Sequence, residues 1–209
     1  MSSGVERRRR GVSASAEAGV TLVELMVTMF VFTIFLTIVL SSVMGITRAS
    51  TQAEVASRSS TGVLNVFQQF DRAIRYADVI NPPGATSSGR YVEFRVPGND
   101  ASSAATCFQW RFVPGSRILQ SRQWRDGVTS PSPVWSTRLR DVFDSGTGYP
   151  FVLIPAGPGT SPMQQLTLTV VSGNATQKGA AISTTFVARN SDAGSNSGGP
   201  VCSAGTMRP

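Results

Sequence analysis

The first strong pattern in the chain is a long run of residues without charge. No charged residue occurs from Leu25 to Thr47, a stretch of 23 positions, and a helix needs about 20 apolar residues to cross a membrane. Four arginines, at positions 7 to 10, precede this run. Positive charge keeps the near end of a single span in the cytoplasm, so the remainder of the chain is expected outside it. The pattern predicts one span followed by an extracytoplasmic head.

After Arg48 the pattern becomes amphipathic and continues the helix. Apolar side chains recur there at spacings of four, three and four residues, as on one face of a helix: Val63, Phe67, Phe70 and Ile74. The run 81–84, which contains two prolines, ends any helix. We therefore predict one helix from Val20 to Ala77, about 87 Å long at 1.5 Å per residue. Its first half is transmembrane and its second half packs on the head.

Beyond Asp78 the apolar period changes from helical to alternating. Four segments alternate apolar and polar residues, which is typical of strands with one buried face. They are residues 92–96, 108–112, 166–170 and 182–186. Residues 117–125 are a further predicted strand, and residues 135–143 fit either a strand or a loop. The chain is therefore predicted to be α+β, with a long N-terminal helix packed on an antiparallel β-sheet head.

Composition excludes several kinds of chemistry. The chain has no histidine, which excludes Ser-His-Asp and Cys-His catalysis and imidazole metal sites. Its two cysteines cannot make a structural zinc site without histidine partners. No glycine-rich loop ends in Gly-Lys-Ser or Gly-Lys-Thr, and no set of nucleophile, base and electrophile stands out. We predict no enzymatic activity, no cofactor and no metal.

Other kinds of targeting or anchoring segment also contain an apolar run. A secretory signal peptide has an apolar region of about 7–15 residues, which is shorter than this run. In a twin-arginine signal the arginines adjoin the apolar region, whereas here residues 11–19 intervene. A plain anchor fits the length but gives no reason for Glu24 at the start of the run. It remains the alternative: a single-span anchored extracytoplasmic domain that does not polymerise.

The segment from Ala18 to Leu25, AGVTLVEL, resembles the class III signal of type IV prepilins and pseudopilins. In that family a basic leader ends in glycine, a prepilin peptidase cuts after it, the new N-terminus is methylated, and the fifth mature residue is glutamate. The resemblance implies cleavage between Gly19 and Val20, methylation of Val20, and an assembly role for Glu24. Val20 departs from the usual phenylalanine or methionine, and Ser41 stands where many major pilins have proline. Both departures favour a minor subunit.

The resemblance implies a pilin-like fold and a structural role in a type IV pilus-like filament, serving pilus assembly, competence with DNA uptake, or secretion. The implied partners are other pilin or pseudopilin subunits, prepilin peptidase, an inner-membrane assembly platform and the cytoplasmic membrane, from which the subunit enters a cell-surface filament. A type II secretion pseudopilin is the alternative within the family. The run 186–190, FVARN, also resembles the tail of J-type minor pseudopilins.

The implied division of the chain has four parts. They are a cleaved leader at 1–19, a transmembrane and assembly helix at 20–47, an extracytoplasmic head at 48–190, and a Gly/Ser-rich C-terminal tail at 191–209. Composition predicts that this tail is flexible except at Cys202.

Glu24 is costly inside a membrane. A charged side chain at a helix centre costs about 2.5–3.5 kcal/mol, and less near the helix end. The family offsets this cost with the N-terminal amine of a neighbouring subunit, whose pairing with the glutamate sets the axial stagger. The alternative is that Glu24 lies among lipid headgroups.

The two cysteines predict one disulfide. The head faces an oxidising compartment, where disulfides form and persist. We therefore predict a bond between Cys107 and Cys202, which would tether the tail to the sheet. The alternative is two buried free thiols, since unpaired cysteine is commonly buried.

Positive charge is concentrated between residues 107 and 140, which hold six arginines, one acidic residue and all three tryptophans. Arginine beside aromatic side chains suits single-stranded nucleic acid, through charge and stacking. The candidate DNA-contact residues are Arg111, Arg117, Arg122, Trp124 and Arg125. The alternatives are ordinary packing, with tryptophans buried and arginines outward, or a patch facing anionic envelope polymers or acidic neighbours in a filament.

Overall fold

The fold is α+β and pilin-like, as predicted: one long helix is followed by antiparallel strands. The chain divides into two compact units, residues 1–48 and residues 49–209. The computed structural model describes residues 21–100, 103–128, 134–144, 146, 150–173, 178–196, 201–202 and 208.

Helix α1 runs from Leu22 to Ile74 and has 53 residues. The predicted helix, Val20–Ala77, begins outside the described residues and extends past the observed end. The helix ends earlier because the chain turns into the sheet at once. The Asp78 amide already donates to the Arg95 carbonyl at 3.0 Å, as a strand residue would.

The first part of α1, residues 22–48, is exposed along its whole length. Of the described helices, α1 alone is long and apolar enough to cross a membrane, as judged by length and composition. Each serine and threonine hydroxyl in this part donates to a backbone carbonyl three or four residues earlier: Thr28, Thr33, Thr37, Ser41, Ser42 and Thr47. These bonds satisfy the hydroxyls within the helix, as an apolar surrounding requires.

The described strands form two antiparallel sheets. The first sheet has the order β1-β3-β4-β5-β6, and β2 also pairs with β3. The second has the order β7-β8-β9. The strands are β1 Val79–Ile80, β2 Gly84–Thr86, β3 Gly89–Val96, β4 Thr106–Val113, β5 Ile118–Arg125, β6 Ser136–Leu139, β7 Phe151–Ile154, β8 Gln165–Gly173 and β9 Lys178–Val187, and a 3-10 helix covers Ala193–Asn196.

The core of the head forms where the second part of α1, residues 49–74, meets both sheets. Phe70 lies at the junction and is fully buried. Its ring centroid is 5.1 Å from that of Trp110 in the first sheet, and 5.2 Å and 6.5 Å from those of Phe186 and Phe151 in the second. The predicted apolar stripe is thus the face that holds the two sheets together.

The ambiguous segment 135–143 contains the short strand β6 and then a link between the sheets. The Val142 amide donates to the Arg117 carbonyl at 2.9 Å, at the start of β5. Val142 also forms an isolated bridge with Ser172 of β8. Val142 therefore pairs with residues of both sheets, and one such residue produces no periodic pattern in the sequence. For this reason the sequence does not distinguish a strand from a loop in this segment.

The prediction of one buried face is wrong for β3 and β4. Glu93 and Gln109, whose alternation predicts exposure, are both 0% exposed. They lie on the outer face of the first sheet, which we define as the side opposite α1. This face is covered because Arg208 contacts Glu93 and Cys202 is bonded to Cys107 of β4.

The described part of the C-terminal tail is bound to the head, so the expected flexibility is wrong for these residues. The Asn196 side chain exchanges two hydrogen bonds with the Ala156 backbone, at 3.2 and 2.5 Å. The Asn81 side chain does the same with the Val201 backbone, at 3.0 and 3.1 Å. An asparagine amide has both a donor and an acceptor, so it can form two hydrogen bonds with the backbone of one residue, as a neighbouring strand does.

Candidate assembly segment and head surfaces

The first turn of α1 carries the assembly candidate Glu24, whereas Gly19 and Val20 lie outside the described residues. The Glu24 amide donates to the Thr21 hydroxyl at 3.2 Å, and the Leu25 amide donates to the Thr21 carbonyl at 3.1 Å. Thr21 is therefore the N-cap, and threonine followed three residues later by glutamate is the sequence of a capping box. Sequence reasoning missed Thr21, although this spacing is a recognised helix-start signal.

Glu24 is exposed and forms no ion pair with any residue that the structure describes. A carboxylate in the first turn is favoured by the partial positive charge of the helix N-terminus. Its immediate surroundings along the chain are apolar, since the charge-free run begins at Leu25. The side chain is thus exposed at the start of the apolar run, with no cation of the described residues paired to it.

Cys107 and Cys202 form a disulfide across 95 residues, with a Cα–Cα distance of 5.7 Å. The bond is buried, and Trp124 packs against it on the outer face. A carboxylate oxygen of Asp126 lies within 4.8 Å of both sulfur atoms. Because both sulfurs are used in the disulfide, this group does not offer thiolate ligands to a metal.

A hydrogen-bonded chain of side chains runs across the outer face towards the tail. Arg208 donates to both carboxylate oxygens of Glu93, at 2.9 and 2.6 Å, and to the Pro82 carbonyl at 2.8 Å. The Gln109 amide donates to Glu93 at 2.8 Å, and Arg122 donates to Gln109 at 2.6 Å. Glu93 is 0% exposed, so this fork of Arg208 supplies the cation that a buried carboxylate needs.

A second ion-pair group lies at the edge of the same face. Arg95 contacts Asp78 at 2.8 Å and Asp126 at 3.4 Å. The hydrogen bonds that Arg95 donates to Asp78 are the main cause that raises the pKa of Arg95 above its usual range, against the opposing effect of burial. This group links the residue before β1 to β3 and to the residue after β5.

Three of the five candidate DNA-contact residues lie together on the outer face. The guanidinium carbons of Arg111 and Arg122 are 4.0 and 4.4 Å from the centroid of the Trp135 ring. That of Arg122 is also 5.4 Å from the Trp124 ring. Burial, and then repulsion by Arg111, lowers the pKa of Arg122 below its usual range. The tryptophan rings here serve as platforms for the protein's own cations.

Arg117 and Arg125 lie apart from this cluster, at opposite ends of β5. Arg117 occupies the turn before the strand with φ 55°, and its guanidinium carbon is 4.3 Å from the Phe143 centroid. Arg125 is exposed at the other end. The five candidates therefore form no single surface, and DNA contact stays a prediction.

Burial prevents two tryptophans from stacking on the bases of a nucleic acid. Trp110 is 3% exposed and Trp124 is 8% exposed. The indole N–H of each has no hydrogen-bond partner among the described residues. A buried donor left unsatisfied costs about 1–3 kcal/mol, so each of these positions calls for an explanation.

Comparison with known proteins gives one match. The family model described as the prokaryotic N-terminal methylation motif matches residues 14–40. No curated protein and no solved structure matches the chain. The matched range contains Gly19, Val20 and Glu24, and it covers much of the exposed apolar part of α1.

This motif is typical of structural, non-enzymatic proteins that assemble with pilin-family partners, and the apolar helix behind it fits a membrane-anchored pilin. The likeness of residues 186–190 to J-type pseudopilins stays a prediction. The chain carries a type IV prepilin-like class III signal at its N-terminal side, ahead of a pilin-like α+β fold.

Proposed function

We propose that the protein is a minor subunit of a type IV pilus-like filament, processed by prepilin peptidase and drawn into the filament from the cytoplasmic membrane. The observation that carries this proposal is the methylation motif at residues 14–40, which overlaps a helix segment exposed along its whole length. A plain anchor needs an apolar helix but has no use for Gly19 and Glu24 at this spacing. Val20 and Ser41, where major pilins usually differ, support a minor rather than a major subunit.

In this proposal the peptidase cuts after Gly19, and Val20 becomes the methylated N-terminus. The apolar helix is retained, because it lies wholly after the cut. Glu24 then receives the N-terminal amine of a neighbouring subunit within the bundle of helices. This pairing is strong in a filament because no water lies nearby to solvate either charge in place of its partner.

The second part of α1 links assembly to the head. It is held to both sheets through Phe70, so the head follows the helix into the filament. We propose that the head's surfaces then contact neighbouring subunits, in a filament that serves pilus assembly, competence or secretion.

The test replaces Glu24 with alanine. Glu24→Ala should still insert in the membrane and lose residues 1–19, because removing a charge makes the helix more apolar and leaves Gly19 intact. Its incorporation into sheared filaments should fall by two to three orders of magnitude. An amine left unpaired in an apolar bundle costs about 3–5 kcal/mol, and about 1.4 kcal/mol corresponds to a factor of ten.

Glu54→Ala is the matched control on the same helix. Glu54 pairs with Arg58 at 2.5 Å, but both side chains are mostly exposed, and such surface pairs contribute little. It should enter filaments at the wild-type level, while mass spectrometry reads the leader removal in both variants. Wild-type incorporation of Glu24→Ala would contradict the proposed pairing. Absence of the wild-type protein from filaments, together with normal filaments in its deletion strain, would favour the anchored domain.

A further inference from the structure

A groove of about 680 Å³ opens beside α1 in the head. One wall is the helix at Arg72, and the other is formed by strands β4 and β5 and the segment that contains β6. Trp110, Phe108 and Arg138 are among the lining residues. It opens towards α1, and Arg122 of the outer-face cluster also lines it, so the groove adjoins that cluster.

The charge of the groove is positive. Arg72, Arg122 and Arg138 line it, and none of the described lining residues is acidic. Neither Arg72 nor Arg138 forms an ion pair with a described residue. The Arg72 Nε donates to the carbonyl of Gln68 at 3.3 Å, and the Arg138 Nε donates to the hydroxyl of the buried Ser121 at 2.7 Å.

The bond to Ser121 fixes the guanidinium of Arg138 without neutralising it. Its two terminal nitrogens have no partner among the described residues. An arginine held in this way is prepared to bind a carboxylate through two parallel hydrogen bonds.

Trp110 forms part of the buried wall of the groove and is 3% exposed. Its indole N–H has no partner in the described part of the chain, but the nitrogen atom is closed to solvent. The ring can therefore report on occupation of the groove, whereas the arginines are the groups that can bind an anion.

The lining favours a carboxylate on a peptide over nucleic acid. Single-stranded nucleic acid requires exposed aromatic faces for stacking, but Trp110 is buried, and the Phe108 ring is stacked on Phe94 with centroids 5.4 Å apart. The remaining apolar lining, at Ala73 and Val134, suits an aliphatic side chain flanking an acidic one.

We propose that this groove binds an acidic segment presented by the head of a neighbouring filament subunit. The carboxylate binds Arg138, with Arg72 adding positive charge. This inference rests on the proposed function, because it takes the neighbouring subunit as the source of the segment.

The binding test uses the processed full-length protein in detergent micelles, with its indole groups labelled with 15N. The probe is the capped peptide Gly-Leu-Glu-Asp-Leu-Gly, and its matched control is Gly-Leu-Gln-Asn-Leu-Gly. The Trp110 indole resonance, identified by its loss in Trp110→Phe, should shift saturably with the acidic peptide. The amide analogue should bind at least tenfold more weakly.

A double variant, Arg72→Gln with Arg138→Gln, should weaken binding of the acidic peptide at least tenfold. Arg125→Gln with Arg189→Gln removes the same charge from exposed positions outside the groove and should bind as the wild type does. Because the peptide and its amide analogue are compared on the wild-type protein, the test stands even if the double variant misfolds. Equal binding of the two peptides, no shift of Trp110, or displacement of the acidic peptide by oligo-dT would each overturn the inference.

Filament incorporation separates the two proposals. The groove variant should enter sheared filaments at least tenfold less than the surface control pair. If it enters at the wild-type level while Glu24→Ala is excluded, the groove inference fails and the proposed function stands. If Glu24→Ala enters normally, the proposed function fails whatever the groove binds.

Discussion

The two parts of α1 have the same secondary structure in opposite chemical settings. In residues 22–48 every side chain is exposed, including Phe30 at 67% and Phe35 at 60%. In residues 49–74 one apolar stripe is buried in the head, and Phe70 and Val63 are 0% exposed. The second part obtains its stability from packing within the chain. None of the described residues packs on the first part in this way, so its apolar surface is suited to a surrounding of lipid or of other protein chains.

The largest expected effect comes from making the same phenylalanine-to-alanine substitution in each of the two parts. Phe70→Ala should lower the free energy of unfolding of the head by about 3–5 kcal/mol, since it leaves a cavity where two sheets meet. Phe30→Ala, the same change in the exposed part, should leave that free energy unchanged. Urea unfolding followed by tryptophan fluorescence measures both, because Trp110 adjoins Phe70. A small loss for Phe70→Ala, or a similar loss for Phe30→Ala, would contradict this division of roles.

The second expected effect concerns the tail, which stabilises the head from the opposite side of the sheet. Arg208→Ala should destabilise the head by up to about 3–5 kcal/mol, because Glu93 is 0% exposed and loses its cation. Adding Glu93→Gln to Arg208→Ala should recover part of the loss, since no buried charge then remains. Arg189→Ala, at an exposed position, is the control for the loss of an arginine. Destabilisation by Arg208→Ala no larger than that of the control would show that the ion pair contributes little.

The third expected effect is that of the disulfide. Removing the Cys107–Cys202 bond should cost about 2–4 kcal/mol, because it constrains the unfolded chain over a long loop. The Cys107→Ser, Cys202→Ser double variant should lose about as much stability as the reduced protein. Thiol labelling of the denatured, unreduced protein provides the chemical check. Two free thiols per chain would refute the bond.

The smallest expected effect lies at the start of the exposed part. Thr21→Ala should destabilise the first turn of α1 by about 1 kcal/mol through loss of the cap, with no change in the stability of the head. Hydrogen exchange at the Glu24 amide should become several times faster. Thr28→Ala, which removes a hydroxyl that donates to the Glu24 carbonyl, controls for the loss of a threonine. Unchanged exchange in Thr21→Ala would mean that the helix does not depend on this cap.

Most of the fold follows from periodicity, and the exceptions have physical causes. The long strands β3, β4, β5, β8 and β9 are predicted because each is long enough to display an alternating pattern. Strands β1, β2 and β7 have two, three and four residues, which is too short for any period to be recognised. The helix end at Ile74 was overestimated because the turn that follows has no breaker residue until Pro82.

The candidate sites were less predictable, because they depend on contacts between distant residues. Glu93 appears in the sequence as the polar member of an alternating strand, and its burial depends on Arg208, 115 residues later. Composition shows that the arginine and tryptophan segment is dense in positive charge, but it cannot tell which ring each arginine contacts. The cap at Thr21, by contrast, is local and was available from the sequence.

The hydroxyl groups of the first part of α1 have one further consequence. Since each donates to a carbonyl of its own helix, none of them depends on the medium for a hydrogen-bond partner. Such a helix can exchange lipid neighbours for protein neighbours without breaking any of these bonds, and only its van der Waals contacts change. For the apolar surface, the free energy of transfer from a membrane to a helical bundle is then close to zero. In the proposed filament, a single ionic contact at Glu24 would then set the direction of that transfer.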